Sequence, residues 1–216
     1  AQKAGMGKDF YENSEAARSF FDNAQEILDF DLKEMCFGEH EELNLTEYTQ
    51  PCMVSVCLAI VQELKKRGIN PDITAGLSLG EYAAVAAAGG MNELNAIKLV
   101  RRRGILMQNT VPTGEGAMAA VLGLDAKKIE EILESFENVW IANYNCPGQI
   151  VITGLTNEVK QASLALKEAG AKRVVELKVS GPFHSLLLKP AGEALLKEME
   201  SMSFSPLQVP YIANAT

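Results

Sequence analysis

The sequence predicts an α/β protein with a parallel-sheet core and an inserted small domain, and three observations carry that expectation. Helix-type and strand-type runs alternate along most of the 216 residues. Within 71–90, PDITAGLSLGEYAAVAAAGG, a short apolar strand, a sharp turn and an alanine-rich helix follow one another. From 114 to 179 the runs order as strand, helix, strand, strand, helix, strand, which is the ferredoxin-like arrangement. The large domain is then expected from 1–113 with 180–216, incomplete at both ends, and the small one from 114–179.

Composition narrows the class. With 47% hydrophobic residues the chain can bury a full core. A net charge of −8 argues against nucleic acid, whose phosphates demand a basic face. No run of about eighteen apolar residues and no signal peptide is present, so no membrane is expected and a cytoplasmic location is. Cys36, Cys52, Cys57 and Cys146 lack C-x-x-C spacing and a nearby histidine, so they are expected as reduced structural thiols, with no metal site.

Ser14 is placed to cap a helix on which Ala17, Phe20, Phe21, Ala24, Ile27 and Leu28 recur at helical spacing. The acidic stretch 31–48 is expected as a short helix and loop, with His40 solvated among glutamates. A second helix starts at Thr49-Gln50-Pro51 and ends at Gly68; it is apolar nearly all round as far as Gln62, which predicts burial. Because it leads into the strand at 73–75, Gln50 lies either near the serine turn or simply within the helix cap.

The G-x-S-x-G turn at 76–80 is the centre of the chain. A serine between strand and helix is held in a strained backbone conformation with its hydroxyl exposed, and flanking glycines let the chain bend. That makes the core an α/β-hydrolase-like one with a nucleophile elbow at Ser78, and the amide of Leu79 at the helix start a donor to a developing oxyanion. An ordinary strand-to-helix turn shares the bare pattern; the matching strand and helix on either side favour the nucleophile.

The helix over 92–110 carries Arg101, Arg102 and Arg103 in a row. At about 100° per residue, Asn95, Lys98, Arg102 and Asn109 share a polar face, while Arg103 falls on the far side among Leu99, Val100, Leu106 and Met107. A charge there is either paired internally, for instance with Glu81, or awaits an anion.

In the small domain, strands are expected at 117–122, 139–143, 149–153 and 173–179, with helices at 125–136, capped by Asp125, and 158–169. Asn143 and Asn145 fall in the segment NYNCPGQ and are expected as turn residues. His184 lies in the Gly-Pro loop SGPFHS between strand and helix and is the better placed of two histidines to serve as a base for Ser78.

The strings G-L-S-L-G-E-Y, V-R-R-R-G, N-Y-N-C-P-G-Q and G-P-F-H-S together resemble the motifs of the bacterial malonyl-CoA:acyl carrier protein transacylases and of the related synthase acyltransferase domains, over essentially the whole chain. The resemblance implies transfer of malonyl from malonyl-CoA to the phosphopantetheine thiol of acyl carrier protein through a malonyl-serine, in support of fatty acid synthesis and with no cofactor. It implies a role for Ser78 as nucleophile, His184 as base, Arg103 as ligand of the malonyl carboxylate, Phe183 as a steric gate against methylmalonyl, and Asn143 and Asn145 as cleft residues. Where the family has G-H-S-L-G this chain has Leu77, a change expected to be tolerated. Family members carry a G-Q-G turn before the point where this chain begins, and continue beyond Thr216. A monomer is expected. The rival readings are a serine hydrolase or thioesterase, which would want an acid partner for His184, and an inactive fragment that only docks carrier protein. The clusters Lys65-Lys66-Arg67 and Lys172-Arg173 suit an acidic partner or plain solvation.

Overall fold

Ser14 ends one helix and starts the next, as its position before an amphipathic run predicts. The computed structural model describes residues 2–112, 114–177, 179 and 181–214. Its helices are α1 (Lys8–Asn13), α2 (Glu15–Gln25), α3 (Leu32–Phe37), α4 (Thr46–Lys66), α5 (Leu79–Ala87), α6 (Glu93–Thr110), α7 (Ala126–Leu133), α8 (Thr156–Glu168) and α9 (Lys189–Glu200). Its strands are β1 (Thr74–Ala75), β2 (Gly116–Leu122), β3 (Val139–Cys146), β4 (Gln149–Leu155), β5 (Arg173–Glu176) and β6 (Tyr211–Ile212). Two units are distinguished, Ala1–Ile105 with Leu195–Thr216, and Leu106–Ala194.

In the first unit the Ser14 hydroxyl accepts from the Ala17 amide at 3.1 Å and donates to Glu63 Oε2 at 2.5 Å, so one side chain caps α2 and ties it to α4. Ala17, Phe20, Phe21 and Ala24 are buried. Ile27 and Leu28, expected on the same helix, fall in the turn after it and are only half-buried. His40 is not merely solvated: its Nε2 meets Glu34 Oε1 at 3.0 Å.

Helix α4 begins at Thr46, three residues before the predicted start, so Pro51 lies inside it. Proline has no N–H to offer the carbonyl four residues back. That carbonyl, Glu47 O, instead accepts from Arg101 Nη1 at 2.8 Å, which lets the helix continue through the proline. Val54, Leu58 and Ala59 are buried, but Cys57 and Leu64 are exposed, so the helix is not covered all round as expected. Its apolar side beyond the core faces an open groove shared with Ile69 and Ile73, both exposed.

Strands β1 and β6 pair in parallel, Thr74 with Tyr211 and Ala75 with Ile212. The predicted parallel sheet is thus two short strands among the described residues. Helix α5 ends in a Schellman motif: Gly90 N–H reaches Val85 O at 2.9 Å and Gly89 N–H reaches Ala86 O at 3.0 Å, with Gly89 left-handed at φ 82°. Residues 204–208 then run beside this end, the Gln208 amide bonding Ala88 O at 2.8 Å, and deliver the chain to β6.

The second unit holds an antiparallel sheet in the order β3-β4-β2-β5. Val121, Ile152 and Val139 from the sheet pack with Ile129 and Leu133 of α7 and Val159, Ala162 and Leu166 of α8 to form its core. Asp125 caps α7 as expected, accepting from the Lys127 amide at 3.0 Å. Helix α8 starts at Thr156, two residues early, where the Thr156 hydroxyl donates to Gly114 O at 2.7 Å, and Glu158 in its first turn accepts from both the amide and the side chain of Asn138, at 2.9 and 2.8 Å. The predicted last strand reached 179; β5 ends at Glu176, and Lys178 lies outside the described residues.

Candidate active site

Ser78 sits between β1 and α5 with φ 50° and ψ −99°, a conformation that residues bearing a Cβ rarely adopt. The two glycines of the turn are not equivalent. A Cβ on Gly76 would lie 2.1 Å from both the carbonyl carbon and oxygen of Gly80, whereas a Cβ on Gly80 would meet nothing within 4 Å. Only the first is sterically required, because it lets the strand end run against the first turn of α5. The Leu77 side chain is exposed.

Leu79 is the first residue of α5, and among the described residues its amide has no acceptor. Unpaired first-turn amides and the helix dipole make this point favourable to negative charge. The Ser78 amide, by contrast, is used: it donates to Asn214 Oδ1 at 2.5 Å.

Three successive arginines on α6 meet three environments. Arg102 is exposed and pairs with Glu198 at 2.8 Å. Arg101 is mostly buried, grips both oxygens of Asp29 at 3.0 Å, reaches Glu47 Oε2 at 3.1 Å, and lies over the rings of Phe30 and Tyr48. Arg103 turns toward the elbow. Its Nη2 donates to Ser78 Oγ at 3.1 Å, its Nη1 donates to Gln50 Oε1 at 2.7 Å, and its guanidinium lies 5.4 Å from the centre of the Tyr82 ring. Among the described residues no carboxylate comes within ion-pair distance of it, and Glu81, the internal alternative, instead accepts from the Asn214 amide at 3.1 Å. Burial pulls the Arg103 pKa down, opposed by Tyr82 and Glu81; burial likewise pushes the Tyr82 phenol up. A guanidinium stays charged at neutral pH. Among the described residues, the elbow therefore holds a cation bonded to neutral groups beside a strained hydroxyl.

Gln50 is in the second turn of α4, buried, and not part of the helix start. The earlier start of the helix is what carries it inward. Tyr82 and Asn214 were not singled out from the sequence; Tyr82 stands in the G-E-Y end of the serine motif, which was a usable signal, whereas nothing marks Asn214.

The remaining candidates lie in the second unit. His184 is exposed and has φ 61°, the other non-glycine residue in the left-handed region among those described. Its loop is braced by Ser185 Oγ, which donates to Pro182 O at 2.7 Å, and by the Pro182 ring, which fills the space that a Cβ on Gly116 would need. Phe183, next to it, is half-buried. Asn143 and Asn145 are not turn residues: β3 continues to Cys146, and the turn is the pair Pro147-Gly148, with Gly148 at φ 78°. Proline followed by a left-handed glycine closes a hairpin in two residues, so the strand needs no earlier end. One irregularity in register lies just before Asn143 and another, between Tyr144 and Cys146, contains Asn145; Asn143 is half-buried, and Asn145 Nδ2 donates weakly to Gln149 Oε1 at 3.5 Å.

A model of the acyl transferase domain matches residues 1–216. The malonyl CoA-acyl carrier protein transacylase of Bacillus subtilis (strain 168) is 45% identical over 221 residues, covering 100% of this chain and 70% of that protein. The chain belongs to the malonyl CoA-acyl carrier protein transacylase family. The transacylase of Staphylococcus aureus (strain MW2) is 41% identical, with 99% of this chain and 70% of that protein covered. Among solved transacylases, that of Clostridium perfringens matches with a TM-score of 0.94 at 41% identity, over 99% of this chain and 69% of that one. A malonyl-transacylase in complex with a type II PKS acyl-carrier protein matches with a TM-score of 0.95 at 38% identity, over 99% and 71%. The mixed α/β architecture, one parallel and one antiparallel sheet, is that of the transacylases, and the family makes the chain an acyltransferase. Among the described residues no helix is long and apolar enough to cross a membrane.

Proposed function

We propose that the chain transfers malonyl from malonyl-CoA to the phosphopantetheine thiol of acyl carrier protein by a ping-pong route. Ser78 Oγ attacks the thioester carbonyl while His184 takes its proton. The carbon–sulfur bond then breaks, and the CoA thiolate leaves with that proton. The carrier thiol attacks the malonyl-serine with His184 again accepting a proton, and Ser78 is restored. The Leu79 amide donates to the oxyanion. Arg103 binds the free carboxylate of the malonyl group, held at its Nη1 by Gln50.

One observation carries the reading: a guanidinium with no acidic partner among the described residues stands 3.1 Å from the hydroxyl of a strained serine. An unpaired inward charge is costly, and a substrate carboxylate removes that cost by a charge-assisted, bidentate contact. A simple serine hydrolase has no use for such a group.

The strand order β3-β4-β2-β5 supports a ferredoxin-like small domain over 114–179, and the elbow with its parallel strand pair supports an α/β-hydrolase-like large domain. The reading also assigns Phe183 as a gate on the acyl group, Asn143 and Asn145 as cleft residues, and the protein as a cytoplasmic monomer that meets carrier protein. The test is intact mass after exposure to malonyl-CoA. A malonyl adduct is expected that moves to added holo-carrier protein and is absent in Ser78→Ala. Free malonate released without carrier, at the rate of CoA release, would identify a thioesterase instead.

A further inference from the structure

Asn214 lies 136 residues from Ser78 in sequence, yet its side chain spans the elbow. Its Oδ1 accepts from the Ser78 amide at 2.5 Å, and its Nδ2 donates to the Gly76 carbonyl at 2.7 Å. Its own amide is held by Glu81 Oε1 at 3.1 Å, in the first turn of α5. The elbow is therefore gripped on both sides of Leu77, and the grip is itself fastened to the helix that follows.

The strand register explains the placement. Pairing of Thr74 with Tyr211 and Ala75 with Ile212 brings the next residues of the second strand beside 76–78. There the first strand bends into the elbow and can no longer present its backbone to a ladder. A carboxamide is the side chain that mimics a peptide group, with one acceptor and one donor held in a plane. Aspartate lacks the donor, and glutamine adds a methylene. Asn214 thus continues the ladder by side chain where the backbone cannot.

We propose that Asn214 is the positioning residue of the nucleophile: it holds Ser78 at φ 50° and consumes the Ser78 amide, which leaves the Leu79 amide as the elbow's donor to the oxyanion. The proposal rests on the reading of Ser78 as nucleophile. It also gives Glu81 a task, since its carboxylate anchors Asn214 and not Arg103.

The test is single-turnover acylation by malonyl-CoA, followed as CoA released, alongside steady-state KM and near-ultraviolet circular dichroism. In Asn214→Ala the acylation rate should fall about 100-fold while KM for malonyl-CoA stays within about threefold. Asn214→Asp keeps the acceptor for Ser78 but turns a charged oxygen toward the Gly76 carbonyl, so it should recover at most about tenfold of that loss, and Asn214→Gln, with the wrong reach, should recover less. Wild-type acylation in folded Asn214→Ala overturns the proposal. If Asn214→Ala does not fold, wild-type acylation in Asn214→Asp and Asn214→Gln together overturns it. Failure of the underlying reading looks different: Ser78→Ala would still acquire a malonyl group.

Discussion

Arg103 Nη2 donates to Ser78 Oγ at 3.1 Å, while the arginine two residues earlier is closed in an ion-pair cluster with Asp29 and Glu47. Successive residues on a helix point about 100° apart, so Arg101, Arg102 and Arg103 were bound to meet different surroundings. One clamps the fold, one faces solvent, and one meets the neutral groups of Gln50, Ser78 and Tyr82 at the elbow.

Removing that last charge should separate two substrates. Arg103→Ala is expected to lower kcat/KM for malonyl-CoA about 100-fold, the scale of about 3 kcal/mol for a charge-assisted bidentate contact. Turnover of acetyl-CoA, which has no carboxylate to bind, should change less than about tenfold. Equal loss for both, in parallel kinetic runs, would remove Arg103 from carboxylate recognition.

Gln50 offers the converse experiment. Gln50→Glu sets a carboxylate where the amide oxygen now accepts from Arg103 at 2.7 Å. The internal acid should compete with the substrate's, so KM for malonyl-CoA is expected to rise about tenfold or more, and the malonyl to acetyl preference to shrink. An unchanged preference would mean that the Arg103 charge is not what selects malonyl.

The two glycines of the elbow should respond oppositely. Gly76→Ala pushes a methyl into the Gly80 backbone at 2.1 Å, so it should be strongly destabilising, by about 3 kcal/mol or more. Gly80→Ala meets open space inside α5 and should be neutral or stabilising by up to about 1 kcal/mol. Urea unfolding of both variants checks the contrast; similar losses would refute it.

Arg101 also bonds the carbonyl that Pro51 leaves without a partner. Arg101→Ala should cost about 2 kcal/mol in urea unfolding, through the lost charge-assisted bonds. The same cluster has a pH signature. The hydrogen bond from Arg101 holds the Asp29 carboxyl below its ordinary value. Its contribution is then complete above the ordinary carboxylate pKa and is lost as pH falls through the lowered one. Asp29→Asn should flatten the acid limb of the stability curve, and a limb of unchanged slope would assign acid unfolding to other carboxylates.

Much of this was legible in the amino acids themselves. Apolar spacing, caps and glycine positions set the helices and the order of the small unit's strands, because those signals act within a few residues. The elbow was legible for the same reason, and the helical period alone turned Arg103 inward. Boundaries shifted where a distant partner intervened. Helix α4 runs through Pro51 because Arg101, 50 residues on, supplies the missing donor, and β3 outruns its asparagines because a two-residue turn closes the hairpin.

What the sequence by itself determined was the local chemistry: a serine forced into a sharp turn, an arginine on the wrong face of a helix, a histidine in a rigid loop. Only the tertiary structure decided which groups those residues meet. Arg103 finds Gln50 and not Glu81, and Ser78 is gripped by Asn214 from the far end of the chain. Periodicity fixes a side chain's direction about its own axis, but the partner it reaches depends on how separate elements pack, and no local pattern encodes that.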